Sequence, residues 1–256
     1  MDQKPIIFII PARGGSKGVK NKNILDVNGV PLIAYSIKVA QSLCSHTGWI
    51  TDIVVSTDSP AIVEIASDYG CASHLRPTQL ARDLTPDFPV IRNVLRNNTR
   101  LESFNDLIIA HLRPTSPIRQ ASELIRLIET FSNYRYKEPS ITSMRTVVCA
   151  HQNPHKLMAR DEDTSLYLST QLQKSNGAVS MMLNGPRQLL PKYYWGTGYL
   201  DLILSSNIAN GYLHKPGHTI LLDSPKYSID IDSAEDVGIV SALLKAHPDL
   251  NPFHTF

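Results

Sequence analysis

The sequence predicts an α/β chain: a mostly parallel, twisted sheet with helices on both faces. Three observations carry this. Short, wholly apolar runs alternate with longer amphipathic ones as far as about residue 150, which is the βαβα order of a parallel sheet covered on both sides. The first run, IIFII at 6–10, leads directly into PARGGSKGVKNKN at 11–23, a basic, glycine-rich loop where open α/β sheets bind ligands. And 256 residues, 42% hydrophobic and 19% charged, supply the core of one large domain or of one domain with an appendage.

The elements follow in order. IIFII reads as a buried strand. PLIAYSIKVAQSL at 31–43 reads as a helix, with Pro31 suited to its first position. DIVVS at 52–56 is a second strand. SPAIVEIASDYG at 59–70 is a helix that Ser59 can cap, Pro60 can start and Gly70 can close. CASHL at 71–75 is a short strand, PDFPVIRNVLRNN at 86–98 a helix, and DLIIAHL at 106–112 a buried strand. ASELIRLIETFSNY at 121–134 is an amphipathic helix with Ser122 as candidate cap, and SITSM at 140–144 is a further strand. From about 150 to 195 the sequence turns polar and is broken by Pro and Gly, as expected of a functional or interfacial insert. Order returns with HTILL, then YSIDID as a strand, then a helix from Ser233 to about Ala246. The expected division is 1–149 as an α/β core, 150–195 as an irregular arm, and 196–256 as a return to the core with a last strand and a C-terminal helix.

Composition excludes several classes. A formal net charge of +2, with no basic stripe interleaved with aromatics, gives no basis for nucleic-acid binding. No apolar run approaches the roughly 20 residues of a membrane helix, and MDQKP before five apolar residues does not resemble a signal peptide. The three cysteines, Cys44, Cys71 and Cys149, are widely spaced and form no CxxC pair. That suits a reducing compartment, and the expected location is the cytoplasm.

Glycine-rich basic loops after a first strand cradle phosphates, because glycine lets backbone N–H groups approach and Arg or Lys neutralises the charge. The loop is neither G-x-x-x-x-G-K-[ST] nor G-x-G-x-x-G, so taken alone it is a phosphate loop of another kind or a basic surface turn. YSIDID at 227–232 offers a second signal. On a strand Asp230 and Asp232 share one face, with Ile229 and Ile231 on the other, and two carboxylates together suit a hard cation. A bare D-x-D is equally a strand-end acid followed by a helix cap. Here Ser233 with Asp236 three residues on can itself cap the last helix. His151 and His155, four apart, have Pro154 between them and no third ligand close by, so they are not taken as a metal pair.

IIPARGGSKGVKNKNI resembles the opening signature of the acylneuraminate cytidylyltransferase family, the CMP-sialic acid synthetases and their relatives for legionaminic, pseudaminic and Kdo-type acids. LRPTSPIR at 112–119, YSIDIDSAEDV at 227–237, PRQLLP at 186–191 and HLRPTQLARD at 74–83 are similar to further segments of that family, in order and spacing. The resemblance implies a Rossmann-like nucleotidyltransferase fold with a dimerisation arm. It implies transfer of CMP from CTP to a keto-sugar acid, with release of pyrophosphate and dependence on Mg²⁺. Carried over by position, Ala12, Arg13, Gly14, Ser16, Lys22, Asn23 and Arg76 bind the nucleotide. Asp230 and Asp232 hold the metal and, with Arg13 and Lys22, form the catalytic set. Arg113, Thr115, Ser116, Lys156 and Arg187 meet the acid, with Lys156 on an arm of a homodimer.

Two departures fall on the acid side. Arg113 stands where the family has glutamine, and Thr197-Gly198-Tyr199-Leu200-Asp201 replaces an N-G-A-x-Y pattern. Arginine brings a fixed charge and a planar fork. It either takes a carboxylate or a further anionic group of an unusual acceptor, or it pairs with Asp201. The alternatives to a sialic-acid-type acceptor are therefore another acid, a phosphonate or a sugar phosphate, and a nucleotide-binding protein without catalysis.

Overall fold

Alternation along the first strand sets the architecture. In β1 (Ile6–Pro11), Ile6, Phe8 and Ile10 belong to one buried cluster and Ile7 and Ile9 to another. Successive side chains of a strand point to opposite faces, so this strand is apolar on both and must be covered on both. The computed structural model describes residues 5–16, 19–47, 50–98, 107–168 and 183–253. By its internal contacts the chain divides into two units, one of Met1–Thr146 with Thr197–Phe256 and one of Val147–Gly196.

The larger unit is organised on a seven-stranded sheet of order β11-β7-β10-β6-β1-β4-β5. Its strands after β1 are β4 (Ile50–Thr57), β5 (Ala72–Leu75), β6 (Ile108–His111), β7 (Ser143–Cys149), β10 (Tyr194–Leu204) and β11 (Thr219–Asp223). β1 pairs in parallel with β4 and β6, and β4 with β5, while β10 lies antiparallel to β6. Helices α1 (Leu32–Thr47), α2 (Pro60–Asp68) and α4 (Ala121–Lys137) pack on one face, where Ile33, Ile62 and Leu127 join Phe8 and Ile10. Helices α3 (Asp87–Arg96) and α5 (Ser205–Ala209) cover the other, where Ile91, Val94 and Ile208 join Ile7 and Ile9. A third apolar cluster joins Tyr35 and Leu32 to Ile231 and to Val240 and Leu244 of α6 (Ala234–Ala246). Among the described residues no helix is long and apolar enough to cross a membrane.

Most predicted elements are present, and their departures have local causes. Pro31 closes a two-strand hairpin, β2 (Asp26–Val27) and β3 (Val30–Pro31), and α1 starts one residue later. The hairpin turns on Asn28 and Gly29, both at positive φ (54° and 84°), the pattern of a primed turn. Ser59 and Gly70 do bound α2, with Gly70 left-handed at φ 64°, but the Ser59 side chain makes no cap bond. Ser122 lies inside α4, whose N-cap position is Gln120. SITSM is displaced, the strand running from Ser143 to Cys149. Asp106 of the predicted DLIIAHL strand and residues 169–182 of the predicted arm lie outside the described residues.

The clearest correction is YSIDID, which is not a strand. The Ile231 N–H donates to the Thr115 carbonyl at 2.7 Å, and the Ile231 carbonyl accepts from Lys22 Nζ at 2.7 Å, so this backbone is tied to loops and not to a ladder. The N–H groups of Asp232 and Ser233 both donate to the Asp236 carboxylate, at 3.0 and 2.7 Å. Ser233 Oγ in turn accepts from Asp236 N–H, completing a capping box that starts α6. These bonds hold the Asp236 carboxyl below the usual range. Ser233 is thus the cap, and Asp232 is free of that duty.

The smaller unit carries a short hairpin, β8 (Ala159–Arg160) with β9 (Tyr167–Leu168). His155 is buried there, its Nε2 2.9 Å from the Tyr193 hydroxyl and its ring edge-on to that tyrosine. It packs against Tyr193 within the smaller unit. Lys156 Nζ donates to the Leu183 and Gly185 carbonyls at 3.2 and 2.7 Å. Arg187 begins the 3-10 turn Arg187–Leu189 and is exposed.

A polar row crosses the larger unit's sheet. His111 of β6 is in register with Asp201 of β10. Asp201 Oδ1 is 3.3 Å from Arg145 Nε of β7, and Oδ2 is 3.9 Å from His214 Nε2. Burial drives both imidazoles down from their ordinary value, His214 to about 4. The sign follows from linkage. Between pH 6.5 and about 4 the unfolded chain binds protons that the native histidines do not, so stability falls on acidification. His214 alone contributes roughly 3 kcal/mol at full effect. Urea midpoints measured from pH 7 down to about pH 4.5 should decline, and His214→Asn should flatten that decline. An unchanged slope in the variant would disprove the assignment.

Candidate functional site

The loop after β1 is shaped by close packing before any ligand is considered. Ala12 is buried, and its N–H donates to the Ser56 carbonyl at 2.8 Å, continuing the line of β1. Gly14 follows, and its N–H donates to Asp58 Oδ1 at 2.9 Å. A Cβ on Gly14 would stand 2.8 Å from Ser59 Cβ, so the loop passes the start of α2 only because glycine is there. Ser16 Oγ donates to the Val19 carbonyl and accepts from Lys22 N–H at 3.0 Å, which folds the basic segment back on itself. Asn23 is buried and donates through Nδ2 to the Arg13 carbonyl at 2.9 Å, fixing the backbone from which Arg13 projects.

That loop forms one wall of a cleft of about 430 Å³, lined also by the segments after β5 and β6 and by the start of α3. Every part of it belongs to the larger unit. Five of its lining residues are cations (Arg13, Lys22, Arg76, Arg82, Arg113) and two are carboxylates (Asp83, Asp87), so the described lining carries an excess of positive charge. Arg13 Nη1 lies 2.6 Å from Asp83 Oδ1, and Arg113 Nη2 lies 3.0 Å from Asp87 Oδ2. Lys22 Nζ, largely buried, lies 3.0 Å from Asp232 Oδ1. Arg13–Asp83 is partly exposed and Asp232 is exposed, and surface pairs contribute on the order of 1 kcal/mol or less, so a polyanion with several charged oxygens can replace these two carboxylates.

Arg76 differs from the others. It is 5% exposed, its N–H donates to the Thr57 carbonyl at 2.7 Å, and Nη1 reaches Ser56 Oγ only at 3.5 Å. Its Nε is buried with no hydrogen-bond partner among the described residues, and burial lowers the guanidinium pKa. A buried, unmatched donor on a cleft wall is suited to accept a ligand oxygen, since leaving it unpaired is costly.

The sequence-predicted residues fall into four groups. Arg13, Ser16, Lys22, Asn23, Arg76, Arg113 and Thr115 line the cleft together. Ala12 and Ser116 are buried, with Ser116 Oγ 3.4 Å from the Thr197 carbonyl, and Gly14 shapes the loop. Lys156 and Arg187 belong to the smaller unit. Asp230 and Asp232 reach the cleft region through the Ile231–Thr115 and Lys22–Asp232 bonds, but they are not equivalent. The Asp232 side chain is 81% exposed, whereas Asp230 Oδ1 is buried with no partner among the described residues. No group of three or more metal-ligating side chains occurs among the described residues. Two carboxylates, one with an orphaned oxygen, beside a phosphate-sized basic cleft nonetheless fit Mg²⁺, which takes few protein ligands and completes its shell with water and phosphate oxygens.

Sequence reasoning missed Asp83, Asp87 and Arg119. Asp83 ends the quoted HLRPTQLARD, and Asp87 was read only as the start of a helix. Arg119, the last residue of LRPTSPIR, is fully buried. It donates to the carbonyls of Tyr199 (2.6 Å), Arg113 (2.9 Å) and Gly198 (3.0 Å) and to Ser36 Oγ (3.0 Å). An arginine directly after an apolar residue in a proline-bounded segment was the available signal.

Comparison with known proteins agrees with this geometry. Residues 7–179 match the family described as Cytidylyltransferase. The chain is 40% identical over 206 residues to an N-acylneuraminate cytidylyltransferase of Escherichia coli, covering 78% of this chain and 47% of that protein, so it spans about half of that relative's length. It is 32% identical over 249 residues to post-translational flagellin modification protein B of Campylobacter coli, covering 94% and 95% of the two chains. It is 27% identical over 252 residues to a CMP-N,N'-diacetyllegionaminic acid synthase of Legionella pneumophila, covering 95% and 98%. A solved CMP:2-keto-3-deoxy-manno-octonic acid synthetase complexed with CTP superposes with a TM-score of 0.64 at 15% identity, over 95% of this chain and 99% of that one, a likeness of fold alone. The matched residues 7–179 exceed half of the sequence and include every residue that lines the cleft, from Pro11 to Thr115, and the chain belongs to the cytidylyltransferase family.

Proposed function

We propose that this chain transfers CMP from CTP to the anomeric hydroxyl of a sialic-acid-like keto-sugar acid, releasing pyrophosphate. The observation that carries the proposal is the basic cleft at the ends of β1, β5 and β6, with its glycine-shaped loop, in a chain of this family. CTP carries about four negative charges, and charge-assisted bonds to Arg and Lys are roughly twice as strong as neutral ones. Arg13 and Lys22 exchange Asp83 and Asp232 for phosphate oxygens, and Arg76 gives its unmatched Nε–H to the nucleotide. The acceptor oxygen attacks the α-phosphorus in line. The bond from the α-phosphorus to the oxygen bridging the β-phosphate breaks, the hydroxyl proton passes to solvent water, and pyrophosphate leaves against the cations that stabilise its charge. Asp230 and Asp232 are the residues that would hold Mg²⁺, which when bound neutralises phosphate oxygens and makes the acceptor hydroxyl easier to ionise.

The smaller unit is assigned here as a dimerisation arm, with Lys156 and Arg187 contributing to acceptor binding. Leu157, Met158, Leu166, Leu189, Tyr194 and Trp195 are all exposed on it, a density of large apolar groups unusual for a free surface. Lys156 is held by two carbonyls and by no carboxylate among the described residues, so its charge remains available to an acid. The nucleotide supply and the free cysteines suit the cytoplasm. A second reading, an acceptor outside the sialic type, rests on Arg113 and the Thr197–Asp201 segment, where the sequence departs from the family pattern.

Pyrophosphate release with CTP and a panel of sialic, legionaminic, pseudaminic and Kdo acids tests the main proposal, and no release with any of them would refute it. Asp230→Ala should lower kcat by about 100-fold or more with little change in Tm, and chelation should abolish turnover until Mg²⁺ is restored. Arg13→Ala should raise KM for CTP about tenfold or more, the loss of one charge-assisted contact. Sedimentation should show twice the mass of one chain, reduced to one by Met158→Glu with Trp195→Glu; a monomeric wild type would remove the arm assignment.

A further inference from the structure

Arg113 stands on the cleft wall with its charge already matched. Its Nη2 lies 3.0 Å from Asp87 Oδ2 and 3.8 Å from Asp201 Oδ2. Asp201, only 3% exposed, is shared with Arg145 Nε at 3.3 Å. Two guanidinium groups therefore face two carboxylates, and the third guanidinium behind them, Arg119, is set against Asp230. The two imidazoles against this row, His111 and His214, are held neutral by burial. The arginine is fixed from its other sides as well. Its carbonyl accepts from Arg119 Nη2 at 2.9 Å. Its stem lies against Gly198, where a Cβ would meet Arg113 Cδ at 3.2 Å and Nη1 at 3.3 Å, and where φ is +69°. Among the described residues only Nη2 is engaged, so the donors on Nε and Nη1 remain for a ligand.

We propose that Asp87 and Asp201 are positioning residues that hold Arg113 as a charge-compensated donor, so that this wall of the cleft reads a neutral oxygen of the acceptor (a hydroxyl or an amide carbonyl) and turns away a second anionic group. The inference rests on the proposed function for the identity of the acceptor class. Its physical basis is the local balance. A neutral oxygen takes the free N–H groups and leaves two positive and two negative charges as they were. A phosphate or phosphonate at the same place adds about two negative charges beside Asp87 and Asp201, and like charges close together in a partly buried site repel strongly. The arginine thus supplies fork geometry without supplying net charge.

Titration calorimetry with CDP present, to fill the nucleotide site without turnover, tests this. The probes are N-acetylneuraminic, legionaminic and pseudaminic acids and the 9-phosphate of N-acetylneuraminic acid. Wild type should bind N-acetylneuraminic acid about tenfold or more tighter than its 9-phosphate. Asp87→Asn and Asp201→Asn should each shift that ratio about tenfold towards the phosphate by leaving Arg113 under-compensated. In an Arg113→Gln background neither change should move the ratio. A merely structural role for the aspartates would weaken all probes alike and would overturn the proposal, as would a shift that persists without Arg113 or a wild type that prefers the phosphate. Asp87, at the cleft surface, keeps the test valid if the Asp201 variant does not fold. Wild type that binds none of the acids overturns the proposed function and this inference together. Binding without the predicted ratios overturns only this one.

Discussion

A single buried guanidinium ties the Arg113 wall of the cleft to the sheet. Arg119 is sealed from water and gives its N–H groups to three main-chain carbonyls and one hydroxyl, drawn from α1, from the segment after β6 and from β10. Burial lowers its pKa to about 10, still well above neutrality, so it remains charged. A buried charge is tolerable only when fully hydrogen-bonded. The segments that supply those acceptors therefore have one compatible arrangement, and each carbonyl left without its donor would cost about 1–3 kcal/mol. The Arg113 backbone and the Gly198 floor are set by this one side chain, so the position of the cleft wall is a consequence of core electrostatics.

At the basic loop the constraint is reversed. There Arg13 and Lys22 carry charges that need counter-ions. Arg13 pairs with Asp83 and Lys22 with Asp232, carboxylates taken from distant parts of the chain. The backbone of the loop is secured separately, by Asn23 on the Arg13 carbonyl and by Ser16 on Lys22. Holding the main chain with neutral side chains while the charged ones stay exchangeable separates shape from charge. The loop can keep its form as its ionic partners change.

Much of this was legible in the sequence where one periodicity dominates. IIFII, DIVVS and the helices at 60–68 and 121–137 have strong patterns and are found where expected. The β2–β3 hairpin went unread, although Asn28-Gly29 carried its signal. YSIDID misled because its alternation is that of a strand, while its hydrogen bonds go to Thr115, Lys22 and Asp236, partners that no local pattern reveals. β10 was split between an irregular arm and a returning core, since TGYLDLIL follows a stretch rich in Pro and Gly. The basic loop was found by composition, Arg76 by resemblance and Arg113 as a departure from it, while Arg82 went unread. Their counter-charges, Asp83 and Asp87, were not found, because an aspartate beside a proline-rich turn is also what an ordinary surface turn contains.

The paired cations of the cleft have a consequence for how it responds to its surroundings. A bare cluster of positive charge gathers small anions from solution, and a ligand must displace them, which makes affinity fall steeply with ionic strength. In this cleft the displaced groups are Asp83 and Asp232, which stay covalently attached and close by. They re-form their pairs as a bound polyanion departs, at an effective concentration that bulk salt does not alter. The salt dependence of polyanion binding is therefore weaker than a bare cluster of the same cations would give, and the two carboxylates compete for those cations from within the chain.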